Sequence, residues 1–513
     1  MMSELDERIG VIYVHGIGEQ RRFQHLDGEI RPLIDAIRRR PRDPAMSVEI
    51  VGGPASTLHA DQDTWSMQPG APVRAIVREN GRTTEICFHE VWWADVNEPY
   101  SFQKEYSFWL WGLSVWAVPD KRGSNLPGAQ AVMRMPTFPG GLSWGQRLMA
   151  RLKLLGVSNV FLMGAFSIGA LTYLAKRLLD YSAPNVVRVF VNYVSSVKLY
   201  VQRTRVGGGF LDAYHEPPRV SVRRRMIRTL ADVALQNYDR WYIFAHSLGS
   251  VVAYNGVMES AHALPNYLDE GRWRELVRRG FAGRARPPYR VGPVGDMVPA
   301  RPLWLDNNDD VVYRDQLFGK LRGLLTYGSP LDKFAYLWPA RVPINVGEPI
   351  FPSKAEWVNV YDPTDPVGAS LDAFGAAGTL PANVIYPDNY GYRADWKLLY
   401  SHLCYLRVPE ERPHVLSDDL AQWLLRDAPF DSIANKNHDP YFPPDSATDK
   451  SRTRWAQLMW LIVYVVLTAA GMFSLPFIIT ALKELAAKAI DILQQVLVWI
   501  AAHAPDIVAR LFG

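Results

Sequence analysis

The stretch Trp241–Ser250, WYIFAHSLGS, decides how this chain is read. Trp241–Ala245 is an apolar run of strand length that stops abruptly on His-Ser-Leu-Gly. Ser247 stands at the centre of a small-x-Ser-x-Gly pattern. Ala245 holds the first small position, where glycine is commoner, and Gly249 holds the second. A serine on a tight strand-to-helix turn takes a strained backbone conformation, and small neighbours two positions away let strand and helix close on each other. The residues that follow, SVVAYNGVM, favour a helix, whose start brings N-terminal amides near the serine hydroxyl.

A second strand stops in a comparable way. VIYVHGIGEQ, Val11–Gln20, ends its apolar run on His15-Gly16-Ile17-Gly18. Further short apolar runs at Thr84–Val91, Leu321–Tyr327 and Trp357–Tyr361 read as strands. Helical or loop segments separate them, which predicts an α/β fold with a parallel or mixed sheet. The Arg-, Pro- and Gly-rich region Leu264–Asp310 reads as an irregular insertion, and no internal repeat or low-complexity tract is present.

Five motifs in this order carry a resemblance to a known family: VIYVHGIG at 11–18, FAHSLGS at 244–250, LTYGSPLD at 325–332, VYDPTDPVG at 360–368 and a late histidine in SHLCYL at 401–406. Together they resemble the α/β-hydrolase superfamily, its lipase and esterase branch in particular, over residues from about 9 to 410. The resemblance implies an α/β-hydrolase core, a mostly parallel sheet flanked by helices. It implies Ser247 as nucleophile and an oxyanion hole built from the backbone N–H groups of Ile17, after His15-Gly16, and Leu248, after the serine. His15 itself reads as a structural side chain that holds its loop by hydrogen bonds.

A serine hydroxyl needs a base, and the base needs an orienting carboxylate. The superfamily's chain order is Ser, acid, His. His262, His402, His414, His438 and His503 follow the serine beyond His246, which sits inside the elbow. His402, in a compact loop after the last expected strand, is where the superfamily places its base. Asp365, just past strand Trp357–Tyr361, looks most like the family's acid. Asp362 is the alternative, equally suited to capping an Asp-Pro turn. Asp332 is a third, because some lipases carry their acid one strand earlier.

Bulk properties narrow the field. Net charge is only +4, and no RNA- or DNA-reading motif is present, so no nucleic-acid partner is expected. Cys87 and Cys404 are too few for a disulfide framework. No HExxH, CxxC or other ligand spacing predicts a metal, and the resemblance implies no cofactor. The cluster EVWWADVNEPY at 90–100 either lines an acyl pocket or forms core aromatics with solvated acids.

Three apolar stretches point to a membrane. Trp455–Leu482 carries no charge, has Trp455 and Trp460 near one end, and follows Lys450, Arg452 and Arg454. About 20 apolar residues suffice to cross a bilayer, so a C-terminal transmembrane helix is expected at 455–482. Leu154–Ala175 and Ala183–Val197 form a hydrophobic hairpin, crossing or re-entrant, with Arg188 in its second arm. Phe108–Val118 is too short to span and reads as an interfacial or lid segment. Leu485, Ala489, Ile492, Leu493, Val496, Leu497 and Ile500 share one face of an amphipathic helix in 484–513.

Both motif-bearing strands must lie on one side of the membrane. Basic residues at the hairpin base (Arg147, Arg151, Lys153, Lys198, Arg203, Arg205) then place the soluble part in the cytoplasm, at the cell inner membrane. The acidic N-terminus, MMSELDERIG, is not a secretory signal and agrees with this placement.

The expected organisation is therefore a first part of the core at 1–100, a hydrophobic membrane-associated insertion at 101–205 and a second part at 206–430. A linker at 431–454, the transmembrane helix and the amphipathic C-terminal helix follow. The expected function is a membrane-anchored serine hydrolase that cleaves lipid or acylated esters. A thioesterase, amidase or acyltransferase with the same residues is the alternative, as is a catalytically silent membrane scaffold. Nothing in the sequence specifies an oligomeric state.

Overall fold

The computed structural model describes residues 5–16, 24–39, 47–51, 72–96, 217–289, 298–337 except 306, 355–374 except 366, 386–394, 401–406 and 415–456, with single positions elsewhere. The chain divides into two units, and nearly all of the described residues belong to the one made of 1–101, 122–136 and 184–458.

That unit is built on a nine-stranded sheet. Its strands are β1 (Glu7–Val14), β2 (Ser47–Val51), β3 (Val73–Glu79), β4 (Arg82–Val91), β5 (Arg240–His246), β8 (Leu321–Tyr327), β9 (Glu356–Tyr361), β10 (Pro387–Tyr392) and β11 (Tyr441–Phe442). β6 (Ala282–Arg284) and β7 (Asp310–Val312) pair separately as a small ribbon. The order across the sheet is β11-β10-β9-β8-β5-β1-β4-β3-β2. From β10 to β4 every neighbouring pair is parallel, while β11 at one edge and β3 and β2 at the other run antiparallel.

Each strand expected from sequence is present. β5 is buried along its whole length and lies between β1 and β8. A strand covered on both faces reads as a continuous apolar run, which is why WYIFA is legible. The antiparallel β3 alternates buried and partly exposed positions and lacks that signature.

The helices are α1 (Gln24–Arg39), α2 (Pro218–Leu235), α3 (Gly249–Val257), α4 (Glu270–Arg278), α5 (Leu331–Leu337) and α6 (Leu416–Arg426). One sheet face is covered by α1 and α6. Leu26, Ile30 and Ile34 of α1 and Leu416, Leu420 and Trp423 of α6 share a core with Ile9, Val11, Tyr13, Tyr242 and Phe244. The absence of a side chain at Gly323 makes room for Trp423, since a Cβ there would stand 2.3 Å from its ring. Successive strand residues face opposite ways, and α2 and α3 pack on the other side of β1. Burial of these apolar faces supplies the main driving force for the layers.

Two segments are more ordered than their composition predicts. Within 264–310, Asp269 caps α4 by accepting from the Arg272 amide at 2.9 Å, and Trp273 and Leu276 are buried beneath its arginines. The stretch 431–454, read from sequence as a linker, supplies β11 and a helix over 447–456. Tyr441 is buried and donates to Asp419 Oδ2 at 2.6 Å, which fixes the strand to α6.

Among the described residues no helix is long and apolar enough to cross a membrane. The expected span 455–482 lies mostly outside the described residues. So do Phe108–Val118 and the expected hairpin 154–197 apart from Val197. In the C-terminal stretch, residues 490–496 are helical and Ile490, Ile492, Leu493 and Val496 are all exposed. Cys87 and Cys404 are both free thiols.

Candidate active site

The site forms at the carboxyl ends of β5, β8 and β9. β5 ends at His246, and Ser247 follows with φ of +53°. This left-handed conformation is costly for a residue with a side chain and lasts only where its surroundings enforce it. Here they do. The Ser247 N–H donates to the Tyr327 carbonyl at 3.1 Å, and α3 begins directly after Leu248. The Ser250 hydroxyl donates to the Ser247 carbonyl at 2.6 Å and meets the Ser329 hydroxyl at 2.7 Å.

The glycines around the turn are explained by close approach. A Cβ on Gly249 would stand 2.2 Å from the Val14 carbonyl oxygen and 2.5 Å from that of His15. A Cβ on Gly16 would stand 2.6 Å from Ser247 Cβ. The end of β1 therefore meets the serine turn at Gly16 and Gly249, where no side chain fits.

The structure brings Ser247, His402 and Asp365 together. His402 Nε2 lies 2.9 Å from Ser247 Oγ, and His402 Nδ1 lies 2.9 Å from Asp365 Oδ2. The Nδ1–H donates to the carboxylate, which leaves Nε2 to accept from the serine hydroxyl. Asp365 also accepts from the Tyr405 hydroxyl at 2.9 Å and the Val367 amide at 2.7 Å. Burial alone would raise its pKa. The charge and hydrogen bond of His402, with the amides of Gly368 and Val367, outweigh burial and hold the carboxyl well below its usual range. Gly328 (φ +56°) and Gly368 shape the cradle. A Cβ on Gly328 would lie 3.1 Å from His402 Nδ1, and one on Gly368 would lie 2.6 Å from Asp365 Oδ2.

The other acids stand elsewhere. Asp362 is buried and faces Arg452, which donates from Nε at 3.1 Å and Nη2 at 2.6 Å. It also accepts from the Thr364 amide at 2.9 Å, the Thr364 hydroxyl at 2.8 Å and the Ala394 amide at 3.0 Å. Burial raises its pKa above the ordinary value, with Arg452 and Thr364 pulling the other way. Asp332 lies in the first turn of α5 and is buried.

His15 is a structural residue. Its Nδ1–H donates to the Gly16 carbonyl at 2.8 Å, and its Nε2 accepts from the Trp93 amide at 3.1 Å. The Trp93 indole donates back to the His15 carbonyl at 3.2 Å, and the two rings stack at 5.2 Å. Trp93 is buried in this contact, so it acts as a core aromatic that braces the loop. Ile17 lies outside the described residues. Leu248 is the N-cap of α3, and no side chain caps it. Its amide belongs to the helix start, where N–H groups have no partner within the helix.

Sequence reasoning passed over several neighbours. His246 donates from Nε2 to the His402 carbonyl at 3.0 Å and stacks on the His402 ring at 4.9 Å. Tyr405, Arg452 and Ser329 were equally invisible, since each acts across a long sequence separation. Only the glycines of YGSP and DPVG carried a local signal.

Among the described residues no group of His, Cys, Asp and Glu gathers in a way that could hold a metal ion. Comparison with known proteins found no matching family model, curated protein or solved structure.

Proposed function

We propose that this chain is a serine hydrolase of α/β-hydrolase type, held at a membrane, that cleaves carboxylic esters of lipid or acylated substrates through an acyl-enzyme. The observation that carries the reading is the unbroken Ser247–His402–Asp365 hydrogen-bond chain hung on a left-handed serine.

The geometry supports a two-step reaction. His402 Nε2 takes the Ser247 proton as Oγ attacks the ester carbonyl. Asp365, kept ionised, stabilises the imidazolium and fixes its tautomer. The tetrahedral oxyanion accepts from the Leu248 amide and, by the resemblance, from Ile17. One such donor contributes about 3 kcal/mol to the barrier reduction. Collapse breaks the C–O bond, and His402 returns its proton to the leaving alcohol. Water, deprotonated by the same nitrogen, then releases the acid and restores the serine.

The uncharged stretch 455–482 supports the membrane attachment, and a site tethered at a bilayer favours lipid or acylated substrates. The test is hydrolysis of p-nitrophenyl acyl esters and of phospholipid vesicles by the detergent-purified full chain. The reading predicts turnover, preceded by a burst, that Ser247→Ala abolishes. Equal rates for the wild type and Ser247→Ala would overturn it.

A further inference from the structure

Asp362 and Asp365 stand on one loop, both buried, yet only Asp365 touches His402. Asp362 has a different job, visible in what it ties together. Its carboxylate holds the Thr364 amide and hydroxyl within the acid loop, the Ala394 amide at the end of β10, and Nε and Nη2 of the Arg452 guanidinium. Its own amide donates to the Tyr405 hydroxyl at 2.9 Å, and that hydroxyl donates in turn to Asp365 Oδ2 at 2.9 Å. Tyr405 lies on the segment that carries His402. The loop bearing the acid and the segment bearing the base are thus registered against each other through Asp362 and Tyr405.

A buried carboxylate performs this job only while it is charged and compensated. The cation that compensates it comes from outside the core sequence motifs. Arg452 lies on the helix over 447–456, and the ion pair has side-chain exposures of 19% and 0%. A second tie fixes the same helix nearby: the Tyr361 hydroxyl donates to Asp449 Oδ1 at 3.1 Å. From sequence Arg452 is one of three basic residues flanking a membrane segment. In the structure its charge is directed inward.

We propose that Arg452 is a positioning residue for the catalytic pair: its clamp on Asp362 sets the register in which Asp365 reaches His402. This rests on the hydrolase reading above. In sequence, the helix carrying Arg452 immediately precedes the apolar stretch 455–482. Removing one member of a buried ion pair leaves the other uncompensated, and Asp362 then protonates or moves. Either change loosens the carboxylate's contacts with Thr364 and Ala394, and with them the hold on the loop whose Asp362 backbone amide meets Tyr405. Misplacement of a reacting group by ~1 Å lowers rates by as much as ~100-fold.

The test compares fluorophosphonate labelling rates per folded molecule in the purified full chain, with the folded fraction fixed by thermal unfolding. Arg452→Gln is expected to label at least about tenfold more slowly than the wild type, in line with such a misplacement. Arg452→Lys keeps the charge without the two-pronged fork and is expected to recover most of that loss. Asp362→Asn/Arg452→Gln removes both charges and so retains folding if Arg452→Gln alone does not. It is expected to remain slow, at about a tenth of the wild-type rate or less. Wild-type labelling by folded Arg452→Gln, or by the folded Asp362→Asn/Arg452→Gln variant, overturns the proposal and leaves the hydrolase reading standing. A folded wild type that is inert to the probe overturns the hydrolase reading, and this proposal with it.

Discussion

The two ends of the central sheet use polar side chains for opposite purposes. At the amino ends, charges close on one another. Arg8 pairs with Glu85 at 2.7 Å, and Arg74 reaches the same carboxylate at 3.5 Å. Glu7 accepts from Arg240 and, at 3.1 Å, from Arg82, while Arg240 also donates to the Leu424 carbonyl at 2.8 Å. These pairs sit on regular strands, and the left-handed residues beside them, Asn80, Gly81 and Asp427, lie in a hairpin turn and at a helix end. At the carboxyl ends Ser247 and Gly328 are left-handed, strand ends touch through glycines, and a histidine stands between a hydroxyl and a carboxylate. One end is arranged for stability. The other holds strain at Ser247, where the proposed chemistry needs a serine lifted out of its strand.

This contrast can be broken by substitution. The largest expected effect is in Ser247→Ala. Ester turnover is lost, while the unfolding free energy stays within about 1 kcal/mol of wild type, because the change removes a hydroxyl that bonds His402 Nε2 and no apolar burial. A severe loss of stability would contradict that division. Gly249→Ala sharpens it from the other side. Its Cβ would meet the Val14 carbonyl at 2.2 Å, so strand and helix must part. We expect a cost of about 3 kcal/mol or more, read by thermal unfolding.

Glu7→Gln removes the nearer of the two carboxylates that face Arg240, which is almost wholly buried and keeps Asp427 at 3.8 Å. The expected cost is about 3 kcal/mol in denaturant unfolding, with turnover per folded molecule unchanged. A changed turnover would mean that the amino end also shapes the site.

The effect that is smallest near neutral pH, and grows only on acidification, concerns His89 of β4, which lies against Tyr238 at 2.7 Å. Burial pushes its pKa down to about 4. Below pH ~6.5 the unfolded chain takes up a proton that the native imidazole refuses until about pH 4, so stability falls as pH drops through that window. The total loss is at most about 3 kcal/mol. His89→Gln, which can keep a hydrogen bond to Tyr238, is expected to flatten stability between those pH values. An unchanged slope would assign the acid sensitivity to other groups.

The same contrast explains what the sequence disclosed. β1, β5, β8 and β9 were legible because strands covered on both faces read as apolar runs. The serine turn was legible because its requirements are local: a strand, a small residue on either side and a helix. Asp365 and Asp362 were not separable on those terms, since they lie three residues apart in one turn-rich motif. The distinction arises from His402 on one side and Arg452 on the other, both distant in sequence. β11 escaped notice because two residues carry no periodicity, and the Pro- and Asp-rich composition around it reads as a linker. Trp93 was ambiguous for a related reason, since an aromatic beside a strand end serves a pocket or a core equally well. Its bonds to His15 decide for the core.

The most direct test of the central claim is mass spectrometry of the full chain after reaction with a fluorophosphonate. The account predicts a single phosphonyl adduct, mapped to the peptide containing Ser247, that forms at neutral pH and is absent from Ser247→Ala. A folded wild-type protein that acquires no adduct, or acquires it on another residue with Ser247 unmodified, would contradict it.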